Sequence, residues 1–361
     1  MLLTYEEFAE IPQKMHVFYG QAFDTLFRRH DAQKEQFDRD TYSNLAREDF
    51  KTCFAAFCAL SYLTQQFSFD DGALLRVATR AVEYARQTSD NFNNVNGTQL
   101  IADLRESVCM LQPDGTETTF VHRSFQEYFA ADFAVNANGK DKRRILDQYA
   151  VRAGDSVLPM ALEMSRGAVE QEWVLPSLES LETEFDFSNE EITTGWRFAV
   201  MFPVVIFHRV EGGPVTGFLI INIPVFSLFD SLCRLYFDQL KDAMILGHLL
   251  ALNLRESQQK LSSQAFSEEK NFAIIQKFFE DPDPRSRDDR HIKFRIDKHD
   301  SWWLNCLGVQ EAFDIARVAF KEIKADIQSR ASNRSTILDD VFKTTVNVKS
   351  IGSGKKRAAK K

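Results

Sequence analysis

The sequence predicts an α+β chain, mostly helical, with a winged-helix domain followed by a helical layer and a C-terminal α/β region. Three observations carry that reading. Apolar side chains recur at three- and four-residue spacing over about 48–64, 71–87 and 97–108, the last with Leu100, Ile101, Leu104 and Val108 on one side. Gln112-Pro113-Asp114-Gly115 then places proline and glycine where a tight hairpin connection wants them. Three helices and a hairpin, in that order, make a winged helix. Finally, residues 195–224 switch to β-rich text on either side of Glu211-Gly212-Gly213-Pro214.

Pro12 suits the first turn of a helix reaching about His30, with Met15, Phe18, Ala22 and Leu26 on one stripe. The polar stretch 31–43 separates it from the three helices. After the hairpin, Asp141 to about Glu184 reads as helix and ends near Phe185-Asp186-Phe187. Phe198–Val210 and Val215–Ile223 read as the arms of a second hairpin, and 226–262 as a long amphipathic helix. Two prolines among charges make 280–290 a loop. A short strand at 291–296 and a helix at about 309–329 complete the chain.

Apolar residues make up 44% of the 361, with 32 phenylalanines, so the chain buries cores and is not disordered. Five of the positive side chains fall in the last eleven residues, which makes the body more acidic than the net charge of −8 suggests. That argues against nucleic acid as a general ligand, because neutralising phosphates needs a basic face. The five cysteines are scattered without C-x-x-C, the pattern of reduced thiols in a cytoplasmic protein. No apolar run is long enough to span a bilayer, since 198–207 and 218–229 each carry a proline. His208, His248, His291 and His299 match no metal-ligand spacing, so no metal is expected. The pair Trp302-Trp303 reads as core.

The most informative segment is FVHRSFQEYFAA, Phe120–Ala131. Thr116, Thr118, Phe120 and His122 fall on one face of a period-two strand, so the imidazole leaves beside a phenyl ring expected to be buried. Ser124 and Glu127 have the S-x-x-E spacing of a capping box. Phe125, Phe129 and Phe133 give the following helix an apolar face, and Phe120, Phe125 and Phe129 are expected to share a core with Leu100 and Leu104. His122 is thereby held at a strand-to-helix junction. Arg123 points to the opposite face and reads as solvated.

These residues resemble the end of the winged helix in NACHT proteins, signal-transducing NTPases that include NOD-like receptors and bacterial antiviral defence proteins. The resemblance extends over roughly residues 1–135: Leu2–Phe27 is similar to the helical stretch after the nucleotide pocket, and Asp49–Leu63 to the first winged-helix helix. It implies that His122 contacts the terminal phosphate of ADP and latches a closed state. It also implies that 1–36 is the end of a first helical domain and 37–138 the winged helix; beyond it, the residues themselves read as a helical extension at 139–190, a C-terminal α/β sensor or interaction domain at 191–350, and a basic flexible tail at 351–361.

No G-x-x-x-x-G-K-[ST] occurs, and GSGKK at 352–356 fails in spacing and in the residue after lysine. The chain alone is therefore expected to have no cofactor and to hydrolyse no NTP. ADP or ATP belongs, by resemblance, to the complete module, whose NTPase half is expected in cis or trans, with oligomerisation on activation. Two other readings stand beside this one: a free-standing helical adaptor, and a winged-helix DNA-binding regulator. The second is weakened by Asp103, Glu106, Asp114 and Glu117 on the elements that would face a groove.

Overall fold

The fold follows from where phenylalanine is spent. In a computed structural model, which describes residues 13–34, 41–152, 154–209, 215–244, 291–295 and 309–354, the chain is mostly helical with two small antiparallel sheets. It divides into two compact units, Met1–Trp173 with Phe226–Leu235, and Val174–Val225 with Tyr236–Lys361.

In the first unit, α1 (Met15–Lys34) is followed by α2 (Arg47–Leu63), β1 (Ser68–Phe69), α3 (Asp71–Arg86), α4 (Gly97–Ala102, running on as a wider π turn, Asp103–Ser107), and the hairpin β2 (Leu111–Asp114) and β3 (Glu117–Phe120). Apolar side chains surround α2 on nearly every side: Phe50, Cys53, Phe54, Phe57, Cys58 and Tyr62 are all buried. A helix apolar all round has to sit inside. Its rings continue into those of neighbouring elements, with Phe54 4.5 Å from Phe129, Phe23 5.0 Å from Phe129, and Phe57 5.6 Å from Phe69 and 6.0 Å from Phe120. Each such pair adds about 0.5–1.5 kcal/mol to the area it buries.

Asp70 caps α3 by accepting from the amide of Ala73 at 2.7 Å. The buried face of α3 is built largely of alanine, which lets α4 come close: a Cβ on Gly97 would lie 2.6 Å from Thr79 Oγ1 and 2.8 Å from its amide nitrogen. The sheet has the order β1-β3-β2, with Leu111 opposite Phe120 and Asp114 opposite Glu117. The turn therefore falls two residues later than the sequence suggests. Gly115, at φ +61°, and Thr116 make it, while Pro113 lies within the edge strand β2, where a missing amide hydrogen is tolerated.

A carboxylate braces the third helix. Asp103 is fully buried and accepts from the amides of Tyr42 (2.8 Å) and Ser43 (2.9 Å) and from the hydroxyls of Ser43 (2.5 Å) and Ser107 (2.9 Å). It straps residues 42–43 onto α4. With every lone pair supplied, the buried charge is compensated.

After the hairpin come α5 (Arg123–Asn136), α6 (Gly139–Ala150), α7 (Val157–Met164) and α8 (Arg166–Val169) with the π turn Glu170–Val174. Tyr149 of α6 stands edge-on to Tyr62 at 4.9 Å and donates to the carbonyl of Ala130 at 3.3 Å. Trp173 is buried, with its indole donating to Asp147. The stretch 139–190, expected as one helical extension, is shared between the units.

In the second unit, α9 (Leu175–Glu184) precedes α10 (Thr194–Met201), β4 (Val204–Arg209) and β5 (Val215–Ile220); after α11 (Ile223–Leu235), whose residues from Phe226 onward belong to the first unit, come α12 (Phe237–Leu240), β6 (His291–Arg295) and α13 (Val309–Gly354). Arg197, only 8% exposed, donates to the carbonyls of Phe185, Asp186 and Asn189 and so closes the end of α9. Phe185 and Phe187 meet Phe313, and Phe187 also meets Phe320. The sheet order is β5-β4-β6.

Three expectations are corrected here. Phe198–Met201 is helix, not strand: Thr193 caps α10 at the amide of Trp196, Phe198, Met201 and Phe202 are buried at helical spacing, and Pro203 ends the helix before β4 begins. The helix expected over 226–262 breaks at Tyr236, and its part beyond residue 244 lies outside the described residues. The last helix runs to Gly354, well past 329, and takes residues 352–354 of GSGKK into its end. The loop at 280–290 and the hairpin turn at 210–214 also fall outside the described residues.

Candidate functional site

His122 stands where β3 ends and α5 begins. Phe120 is buried, Val121 donates to the carbonyl of Met110 at 3.0 Å, and the chain then leaves the sheet. At φ −145° and ψ 123°, His122 is extended, and its Nδ1 accepts the amide hydrogen of Ser124 at 3.2 Å. The imidazole is thus the helix cap. An accepting Nδ1 leaves Nε2 as the nitrogen that carries hydrogen, so the neutral ring presents one donor. The residue is exposed, and the ring of Tyr19 from α1 lies beside it at 6.4 Å.

Two features differ from expectation. The Ser124–Glu127 capping box does not form, because α5 starts two residues earlier and the histidine already occupies the cap. Nor do Thr116 and His122 share the buried face of Thr118 and Phe120: Thr116 lies in the turn, His122 lies past the strand's end, and both are exposed.

Glu127 instead turns toward the 152–156 segment. It takes the amide of Ser156 and pairs with Arg123 at 3.3 Å. Burial, and then the nearby Asp155, raise its carboxyl above the ordinary range, against the opposing pull of Arg123.

Arg123 is not simply solvated. Its guanidinium reaches Asp155 Oδ2 at 2.7 Å and lies over the ring of Phe67 at 4.4 Å. Arg152 covers Phe67 at 4.3 Å and approaches the same Asp155 oxygen at 3.4 Å. The hydroxyl of Tyr62 donates to that oxygen at 2.8 Å. One carboxylate therefore fastens α2, the start of α5 and the 152–156 segment together immediately behind His122. Neither Asp155 nor Phe67 stood out in the sequence, since the partners are 93 and 32 residues away from Asp155.

The phenylalanines of α5 do not form one core. Phe129 is fully buried in the α2 cluster, Phe125 is half-buried against Tyr19 at 5.3 Å, and Phe133 is half-buried against Tyr84 at 5.0 Å. Cys53, Cys58 and Cys233 are buried thiols whose burial raises their pKa, Cys53 to about 12. They are not nucleophiles at neutral pH. Among the described residues no cluster of His, Cys, Asp and Glu could hold a metal, and no helix is long and apolar enough to cross a membrane. The backbone of β4 sets His208 opposite His291. His248, His299 and Trp302-Trp303 lie outside the described residues.

No family model, curated protein or solved structure matches the chain.

Proposed function

We propose that this chain is the regulatory part of a NACHT-type signal-transducing NTPase, a cytoplasmic switch of the antiviral defence kind, in which His122 latches ADP held by an NTPase half in cis or trans. The observation that carries the reading is the element order from α2 to β3. Helix, short strand, two helices and a hairpin close a three-stranded sheet with β1 against β3, and an exposed histidine follows directly. That order supports the winged-helix reading, with the F-x-H-x-S-F-Q-E-Y segment leaving the last strand. The capped geometry supports a donor role: with Nδ1 engaged by Ser124, Nε2–H is available to a phosphate oxygen without protonating the ring.

The DNA-binding reading gains nothing from the geometry. Arg105 of the third helix donates to Thr118 and lies near Asp71, so it is turned toward its own sheet. The adaptor reading is served equally well by the same fold and is separated from ours by nucleotide dependence.

The test is ADP release from the chain assembled with its NTPase half, identified by a G-x-x-x-x-G-K-[ST] frame upstream or adjacent. A charge-assisted hydrogen bond of this type contributes about 1.5–3 kcal/mol, so His122→Ala should release ADP about ten- to a hundred-fold faster. Equal release rates would reduce His122 to a helix cap. Calorimetry on the chain by itself should find no ATP binding tighter than millimolar.

A further inference from the structure

Helix α13 carries two apolar stripes, and among the described residues one is covered and the other is not. Phe313, Ala316, Phe320, Ile323 and Ile327 are buried. On another side, Glu311, Ile315, Val318 and Glu322 follow at i, i+4, i+7 and i+11 and line an open groove of about 760 Å³, walled by Thr194 and Gln239. Val318, one of its lining residues, is 52% exposed. Asp314 is engaged by Gln310 and Arg317, whereas Glu311 and Glu322 are exposed and make no ion pair among the described residues. The groove is thus acidic at both ends with two aliphatic side chains between.

The segment Lys355-Lys356-Arg357-Ala358-Ala359-Lys360-Lys361 has the complementary pattern, basic at both ends with two methyl groups between. The lengths agree. Glu311 and Glu322 are about 16 Å apart along a helix rising 1.5 Å per residue, and Lys356 to Lys361 covers about 17 Å when extended. The chain's own segment cannot reach. Gly354 lies thirty-two helical residues beyond Glu322, a distance of about 48 Å, and the seven residues of the segment extend at most about 25 Å.

We propose that the groove receives residues 355–361 of a second copy of this chain. The contact is heterologous, groove of one copy to C-terminal segment of the next, so it can propagate beyond a dimer. Opposite charges at exposed sites make it salt-sensitive. The inference is independent of the nucleotide-switch reading.

Sedimentation velocity on the full chain tests it. Wild type should self-associate at about 50 mM salt and at least about tenfold more weakly at 500 mM. Glu311→Lys with Glu322→Lys should abolish association, and so should deletion of 355–361; unchanged thermal melting shows that both remain folded. Mixing the groove variant with the deleted chain supplies one good groove and one good segment, and should give a 1:1 complex that grows no further. A wild type that stays monomeric at low salt, association that survives either variant, or a mixture that forms no complex would overturn the proposal. Binding of 355–361 to DNA or anionic vesicles by a chain that remains monomeric would likewise overturn it, and would assign the segment to that partner.

Discussion

The ring cluster around α2 and the polar knot around Asp155 lie in the same unit and stabilise it by different physics. In the cluster, Phe23, Phe54, Phe57 and Phe129 are each about 1% exposed or less, and no single contact is indispensable. In the knot, one carboxylate oxygen at the edge of the core takes Tyr62, Arg123 and Arg152. Burial in the cluster is non-directional and scales with the area removed from water, whereas the knot acts through geometry and fails when one atom is lost. The cluster therefore supplies stability. The knot supplies position, and His122 is the residue next to it.

That contrast is most easily broken in the ring cluster, where the expected loss is greatest. Phe129→Ala should cost about 3–5 kcal/mol, and Phe125→Ala, on the same helix but half-buried, about 1 kcal/mol. Thermal or urea melting decides; comparable losses at the two positions would mean that the core is not centred on α2. Next in size, Asp155→Ala strands a buried tyrosine hydroxyl and two guanidinium groups at a partly wet edge, for a loss of about 2 kcal/mol. Hydrogen exchange in the variant should rise at the start of α5 and in 152–156 while α2 stays protected. Uniform loosening would place the knot in the core rather than at its margin.

His122→Ala removes a cap and should cost about 1 kcal/mol or less, leaving the circular dichroism spectrum intact. A larger loss would move His122 from the exposed junction into the load carried by the fold.

The smallest effect has the opposite sign. The carboxyl of Glu127 is raised chiefly by burial, so the folded state holds its proton more tightly than the unfolded chain does, and ionisation at neutral pH weakens folding. Glu127→Gln should leave stability unchanged or raise it at pH 7. That gain should vanish as pH falls through the raised value to the ordinary carboxyl range, where the wild-type group is protonated in both states. A variant destabilised at pH 7 would show that its pairing with Arg123 outweighs the burial.

The helices of the first unit were legible because their periodicity is strong and their ends carry ordinary signals: Asp70 caps α3 where the apolar pattern starts, and Pro113-Asp114-Gly115 brings the hairpin to within two residues of its place. The place of His122 at a strand-to-helix junction was legible through its neighbours in sequence. What the sequence hid was non-local. The S-x-x-E spacing gives no hint that Glu127 is drawn away by Ser156 or that an imidazole takes over the cap. Asp103 reads as one more surface acid until residues 42–43, sixty positions earlier, deliver their amides to it. Phe198 misled for another reason: a run of apolar residues suits strand and helix alike, and Thr193 and Pro203 settle the matter only when the helix they bound is seen.

Phe226–Leu235 belongs to the first unit although the rest of that unit is complete by Trp173. Phe229, Leu232 and Cys233 are buried there, and the hydroxyl of Ser231 donates to the carbonyl of Ala150 at 3.0 Å. On a ribosome this imposes a delay. The 52 residues from 174 to 225 must be made before the last piece of the earlier unit exists, an interval of about 3–10 s at ordinary elongation rates. During that time the C-terminal end of α6 waits uncovered, and the vectorial order in which domains usually mature, each finished before the next is begun, is not open to this chain.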